Sequence, residues 1–262
     1  MQDTSFKFKI GTFDCAVVFD GTLKIPGDKK MELMCLFVST GVHKVLIDAG
    51  EGKGINPTSG YLIENMKAAG INPADIDKVI LTHSHLDHVG GLVDAKGKPN
   101  YPNARYIMHK KEWEYRVPTL HVEPEEERKN QDVLDVTARK KLAAVKEKFD
   151  VLGDESEIIP GFKYVLMPGH SPGSSAVAIS SRKDRILCIG DIVHDLMELT
   201  DPDMWAQFDK NTEGAALSRE KLLSEATFTH ELLFVCHFPF PGVGYIAKKD
   251  GRYIWEPMVK EP

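Results

Sequence analysis

The sequence predicts a mixed α/β chain folded as a four-layer α/β/β/α sandwich with mixed sheets, and three observations carry that expectation. Short apolar runs bounded by Gly, Pro, Asn and Asp recur along the whole chain, as buried strands do. Helical periodicities are interspersed among these runs, which is the pattern of strand–helix–strand units. The polar residues richest in chemistry sit at strand ends in two halves of the chain, Asp48 to His88 and His170 to His237. A sandwich of two such halves brings both sets of strand ends to one edge.

The strand-like runs are 6–10, 16–19, 34–39, 45–48, 79–82 and 104–108, then 163–167, 175–180, 186–190 and 232–236. Runs 243–247 and 253–255 flank Lys248-Lys249-Asp250-Gly251, where Asp-Gly signals a hairpin. Thr58 or Ser59 is the expected cap of a helix carrying Leu62, Ile63 and Met66 and stopped at Gly70. Residues 133–149 space Val133, Val136, Leu142, Val145 and Phe149 as one buried helical stripe. Ser218 is the expected cap of a helix carrying Leu222 and Leu223. The whole chain, 1–262, reads as one domain with a partly helical, highly charged insertion at about 110–150 that includes Glu123 to Lys129. That insertion is either solvated decoration or a lid or homodimer contact bearing Trp113, Tyr115 and Val117.

A chain of 262 residues with 42% hydrophobic and 27% charged residues has an ordinary soluble composition. Its net charge of -6 argues against nucleic acid, which demands concentrated Lys and Arg. No apolar run approaches the roughly 18–20 residues of a membrane span. The first residues lack the basic and apolar regions of a signal peptide, so the expected location is cytoplasmic. Cys15, Cys35, Cys188 and Cys236 form no C-x-x-C pair and read as buried thiols. Strand alternation would turn Cys236 away from His237.

Seven residues concentrate the chemistry: His83, His85, Asp87, His88, His170, Asp191 and His237. Imidazoles and carboxylates at strand ends suit zinc, iron or manganese. Seven exceed one tetrahedral ion and suit two ions sharing a carboxylate and a water, the equipment of a two-metal hydrolase. His83 and His85 are two apart, so an extended segment turns both to one ion. Ser84 then faces away. Asp87-His88 follows a turn and can address a second ion, and Val89-Gly90-Gly91 lets the backbone bend closely.

In order and over nearly the whole chain, this set resembles the metallo-β-lactamase superfamily of dinuclear hydrolases. The resemblance implies His83, His85 and His170 on one ion, Asp87, His88 and His237 on the other, Asp191 bridging, and Asp48 as a carboxylate behind the ligands. Gly190-Asp191-Ile192-Val193-His194 and His237-Phe238-Pro239-Phe240-Pro241-Gly242-Val243-Gly244 are similar to the branch holding methyl-parathion-hydrolase-like enzymes and quorum-quenching lactonases. Well-known acyl-homoserine lactonases have Tyr three residues after the bridging Asp, where this chain has His194.

The resemblance implies two divalent transition-metal ions per chain, zinc first, with iron, manganese or cobalt as alternatives. It implies a small-molecule ester, lactone or phosphotriester substrate attacked by a bridging hydroxide. Asp87 would bind metal and move a proton. His194 would donate to a developing oxyanion or leaving group, or else only hydrogen-bond behind the ligands. Phe238, Phe240, Trp205 and Phe208 would line a pocket or fill the core. Two alternatives stay open: a glyoxalase-II-like thioesterase, disfavoured because a hairpin rather than a helical domain follows His237, and a metal-bound sensing module with little turnover.

Overall fold

The computed structural model describes residues 3–25, 29–121, 132–153, 157–201 and 208–259. Among the described residues the strands form two seven-stranded sheets, each contiguous in sequence. The first contains β1 (Ser5–Ile10), β2 (Phe13–Ile25), β3 (Lys29–Ser39), β4 (Lys44–Ile47), β5 (Lys78–Leu81), β6 (Arg105–His109) and β7 (Phe149–Leu152), in that spatial order. β1 to β4 are antiparallel neighbours; β4 to β7 are parallel, with Leu46 opposite Val79 and Val79 opposite Tyr106. The second sheet runs β8 (Glu157–Ile159), β9 (Phe162–Leu166), β10 (Ser175–Ser181), β11 (Asp184–Cys188), β12 (Leu232–Phe234), β13 (Val243–Lys249) and β14 (Arg252–Pro257). Only β11 and β12 are parallel in it, with Ile186 opposite Leu232.

The described α-helices are α1 (Leu62–Ala68), α2 (Leu86–Val89), α3 (Lys110–Arg116), α4 (Val133–Ala144) and α5 (Thr212–Thr229). Parallel neighbours require a crossover. α1 supplies it between β4 and β5, and α5 between β11 and β12, so each half contains a strand–helix–strand unit. Three apolar layers follow. Ile47, Ile80, Ile107, Val177, Ile186 and Phe234 meet between the sheets. Val79, Leu81 and Met108, on alternate positions of the same strands, pack outward with Leu62, Met66 and Leu142. Leu187 and Leu233 pack outward from the second sheet with Leu222, Leu223 and Ala226 of α5. Both faces of each sheet are covered, which is why the central strands are continuous apolar runs. Each fully buried Leu, Ile or Val adds roughly 1.5–3 kcal/mol.

Element ends depart from the sequence expectations for local reasons. α1 has no side-chain cap from Thr58 or Ser59. Asp20, reaching across from β2, accepts from Leu62 N at 2.7 Å instead; a carboxylate at a helix start gains from the dipole as well as the bond. Thr58 Oγ1 donates to Thr22 O, and Ser59 Oγ to Glu51. α4 stops at Ala144, and Phe149 opens β7 opposite Tyr106. Val136, Leu142 and Val145 are buried as the stripe predicts, but Val133 is exposed. α5 begins at Thr212 under an Asn211 cap, so Ser218 lies inside it and donates to Pro168 O at 2.7 Å. The sequence pattern shows no sign of β7 and β8, which are short. Between β6 and β7 the described residues include α3 and α4. There Trp113 packs on Phe149, with ring centroids 4.8 Å apart, and Val117 joins it against the outer layer of the first sheet. Glu123 to Lys129 and Trp205 lie outside the described residues.

Candidate metal centre

Every candidate residue sits just beyond a strand's carboxyl end. Thr82-His83-Ser84-His85 follows β5 and leads into α2, which carries Asp87 and His88. His170 lies between β9 and β10, Asp191 and His194 follow β11, and His237 follows β12. After His88 the chain packs so closely against the backbone of residues 49–51 that only glycine fits. A Cβ on Gly90 would fall 1.8 Å from Glu51 O, and one on Gly91 2.0 Å from Ala49 O.

The side chains converge in two groups that share Asp191. In the first, His170 Nε2 lies 3.2 Å from His83 Nε2 and 2.7 Å from His85 Nδ1. Asp191 Oδ2 closes this group at 3.6 Å from His83 Nε2 and 3.4 Å from His170 Nε2. In the second, Asp191 Oδ1 lies 3.0 Å from His88 Nε2 and 3.1 Å from His237 Nε2. Asp87 Oδ2 approaches the same two nitrogens at 3.5 and 3.6 Å. A tetrahedral ion with nitrogen ligands at ~2.0–2.1 Å has ligand–ligand edges of about 3.3–3.4 Å. The observed separations bracket that value in both groups.

Hydrogen bonds behind the rings settle which nitrogens are free to ligate. His237 Nδ1 donates to Glu32 O at 2.8 Å, and a carbonyl can only accept, so a neutral His237 presents a bare Nε2 to Asp191. His88 Nδ1 donates to Asp48 Oδ2 at 2.8 Å, and its buried Nε2 makes no hydrogen bond among the described residues. Lone pairs aimed at carboxylate oxygens call for a cation between them. The donor set therefore fits two metal ions. His170 Nδ1 is held by Asp209 Oδ1 at 3.1 Å, and His83 Nδ1 by Thr82 Oγ1 at 3.2 Å. Asp48 also accepts from Thr82 N at 2.8 Å and Thr82 Oγ1 at 2.9 Å. It does so from a left-handed backbone with φ of 60°, uncommon outside glycine and a mark of constraint at working sites. In the metal-free protein burial works against the Asp191 charge, but protonated His88 and His237 beside it hold its carboxyl well below the usual carboxylate range, and a bound cation takes over that role as the rings turn neutral.

His194 joins the rim of the centre. Its Nε2 is 3.4 Å from Asp191 Oδ2 and its Nδ1 3.6 Å from Glu198 Oε2. Burial opposes a charge on this ring, but Asp191 and Glu198 outweigh it and push its pKa up to about 10. Ser84 faces away from the histidine cluster, toward Glu112 and Arg116. Cys236 does not face away: its Sγ is 3.7 Å from Asp191 Oδ1, in one group with His88 and His237. β12 ends at Phe234, so strand alternation no longer governs Cys236 and His237. All four cysteines are buried free thiols.

A cavity of about 320 Å³ opens over the two groups, reaching His85, Asp87, His170, Asp191 and His194. Leu23, Met31, Leu86, Leu134 and Phe208 give it an apolar wall. Phe208 thus takes the pocket role. Phe238 is a core residue packed on Trp255, and Phe240 packs on Phe19. Glu51, Asp209, Glu198 and Glu112 are site residues the sequence did not reveal, because each finds its partner only through the fold.

The family model of the metallo-beta-lactamase superfamily matches residues 34–237, a span that begins in β3 and ends on His237. The chain belongs to this superfamily. Among relatives, the N-acyl homoserine lactonase AttM of Azorhizobium caulinodans is 30% identical over 118 residues, covering 45% of this chain and 41% of the relative. An N-acyl homoserine lactonase of Bacillus cereus is 24% identical over 181 residues, covering 67% of this chain and 61% of the relative. The matches therefore span less than two thirds of these lactonases. Among solved structures, AidC, a dizinc quorum-quenching lactonase, superposes with a TM-score of 0.88 at 24% identity over both full chains. The hydrolase AbOPH superposes with a TM-score of 0.89 at 24% identity, again over both full chains. At these identities the likeness establishes the metallo-beta-lactamase fold. No described helix is long and apolar enough to cross a membrane.

Proposed function

We propose that this chain is a dinuclear metal-dependent hydrolase of a small lactone, with zinc as the metal and related esters as secondary substrates. One observation carries the reading: the two oxygens of Asp191 face two separate histidine groups on the floor of a cavity. Two divalent ions bound there supply a water acidic enough to attack at neutral pH and a positive field that polarises the scissile carbonyl. His83, His85 and His170 would hold one ion and Asp87, His88 and His237 the other, with Asp191 shared between them. Asp87 lines the cavity beside the reacting centre and takes the role of proton carrier as the ring opens. His194, on the cavity wall, donates to the oxygen that gains charge. Asp48 and Asp209 fix the tautomers of His88 and His170. Leu23, Met31, Leu134 and Phe208 bury the apolar part of the substrate. The lactonase relatives favour a lactone over a thioester or phosphotriester. Buried free thiols suit a reducing compartment such as the cytoplasm, and the two sheets and their crossovers work as a single domain.

The test pairs Asp191→Asn with a substrate panel. Wild-type protein loaded with zinc is expected to bind two ions per chain and to open lactones faster than it cleaves thioesters or phosphotriesters. Asp191→Asn keeps the shape and removes the shared charge, so it is expected to lose an ion and nearly all hydrolysis while staying folded. Full metal content and full activity in that variant would refute the shared-carboxylate reading.

A further inference from the structure

Two serines with no part in the chemistry above stand next to histidines of the first group. Ser84 follows His83, and Ser171 follows His170. Both are buried, and both point at one carboxylate, Glu112 on α3, which is itself wholly buried. Glu112 Oε1 accepts from Ser84 N at 3.0 Å and from Ser84 Oγ. Glu112 Oε2 accepts from Ser171 Oγ at 2.6 Å and from Gly173 N at 3.1 Å. A carboxylate has about four acceptor positions and no donor, and here four donors meet it, two from each histidine loop. Arg116, one turn along α3, completes the clamp. Its Nε donates to Ser84 Oγ at 2.6 Å and its Nη2 to Ser84 O at 3.3 Å, while Nη1 pairs with Asp135 on α4. The second loop lies directly on the start of α3: a Cβ on Gly173 would fall 2.0 Å from Glu112 N and 2.4 Å from Glu112 Cα.

We propose that Glu112 is a positioning residue that sets the spacing between His83–His85 and His170, and with it the geometry of the first metal half-site. The inference rests on the metal-centre reading above. The two loops are far apart in sequence, and each histidine's approach to the other depends on where its loop is pinned. One backbone bond, Ser175 N to Thr82 O at 3.1 Å, ties the strands below them; Glu112 ties the loops themselves. Gln at this position keeps the size but replaces one acceptor oxygen with a donor NH2, so one loop loses its anchor whichever way the amide turns. Glu112's hydrogen bonds run to Ser84, Ser171 and Gly173 and not to the side chains of Asp87, His88 or His237, so the second half-site should respond little.

The test isolates the half-sites. A His237→Ala background keeps the first group, and a His170→Ala background keeps the second. Zinc affinity is read by chelator competition in each background, with and without Glu112→Gln. The expected result is a loss of about 10–100-fold in the first background, the range for removing a partner behind a metal ligand, and little change in the second. Ser171→Ala, a milder change, should give part of the same selective loss. Equal losses in both backgrounds, or none in the first, would overturn the assignment. If neither background binds zinc, the metal reading falls, and amide exchange in metal-free protein decides the clamp by itself. Glu112→Gln should speed exchange at Ser84 or Gly173 while amides of β5 and β10 hold. Unchanged exchange at both loop amides would overturn it.

Discussion

Replacing Asp48 by Asn is the sharpest probe of how the ligands are held. The backbone there is left-handed, and Asn accepts that conformation more readily than most residues, so the chain path should survive. The hydrogen bonds should not. Asp48 now accepts from Thr82 N, Thr82 Oγ1 and His88 Nδ1. An Asn that keeps its oxygen on Thr82 N turns its NH2 toward the other two. His88 Nδ1 must then accept, which moves the ring proton to Nε2, the atom that faces Asp191 and Asp87. Thr82 Oγ1, no longer donating to Asp48, can turn its proton to His83 Nδ1 and drive the same exchange there. Both changes put a proton where a metal would bind. The expected cost is about 10–100-fold in metal affinity, or ~1.4–2.7 kcal/mol, with the larger share at the His88 half-site. Chelator competition measures it, and nitrogen-15 spectra of metal-free protein report the tautomers. Wild-type affinity together with unchanged His88 and His83 tautomers would refute the reasoning.

Three further expectations follow from the same geometry. His194→Ala should lower kcat while both metals stay bound, by at most the 10²–10³-fold seen for loss of an oxyanion donor; kcat and metal content measured on one preparation would expose a loss of metal instead. The four thiols should resist alkylation until the protein is denatured, because all are buried and burial pushes Cys15 up to about 12; rapid native labelling or a mass shift on reduction would contradict this. Asp20 should make stability fall as pH rises, since burial pushes its pKa up to about 6 from 3.8 and the folded state therefore holds the proton more tightly, a linkage of about 3 kcal/mol at most. That contribution is complete below about pH 4 and lost through pH 6, so Asp20→Asn should flatten this part of a denaturation series, and an unchanged slope would count against it.

The sequence brought out the proposed ligand set because its members announce themselves. His83, His85, Asp87 and His88 are crowded into a run with no reason to exist on a plain surface, and Asp191 and His237 end apolar strands that would otherwise bury them alone. The strands were readable for a related reason: continuous apolar runs are what two covered faces require. The residues that aim the ligands were not readable. Asp209, Glu198 and Glu112 sit in ordinary charged contexts, and their value lies in partners distant along the chain. Helix starts failed in the same way. Ser59 is a good local cap, yet a carboxylate from β2 took the position at Leu62 N. Cys236 failed because alternation was carried past the point where β12 stops.

Each sheet is built from one uninterrupted stretch of chain, with the changeover between β7 and β8. The ligands divide at that same boundary. His83, His85, Asp87 and His88 belong to the first stretch, and His170, Asp191 and His237 to the second. Neither stretch can assemble either half-site, since the first lacks the shared carboxylate and the second has only one histidine for each ion. On the proposed ligand assignment an ion would be held tightly only when the two sheets have docked, and its binding free energy would become docking free energy. Two fragments divided between β7 and β8 should then recombine more tightly with zinc than with chelator, which turns fragment complementation into a direct assay of metal occupancy.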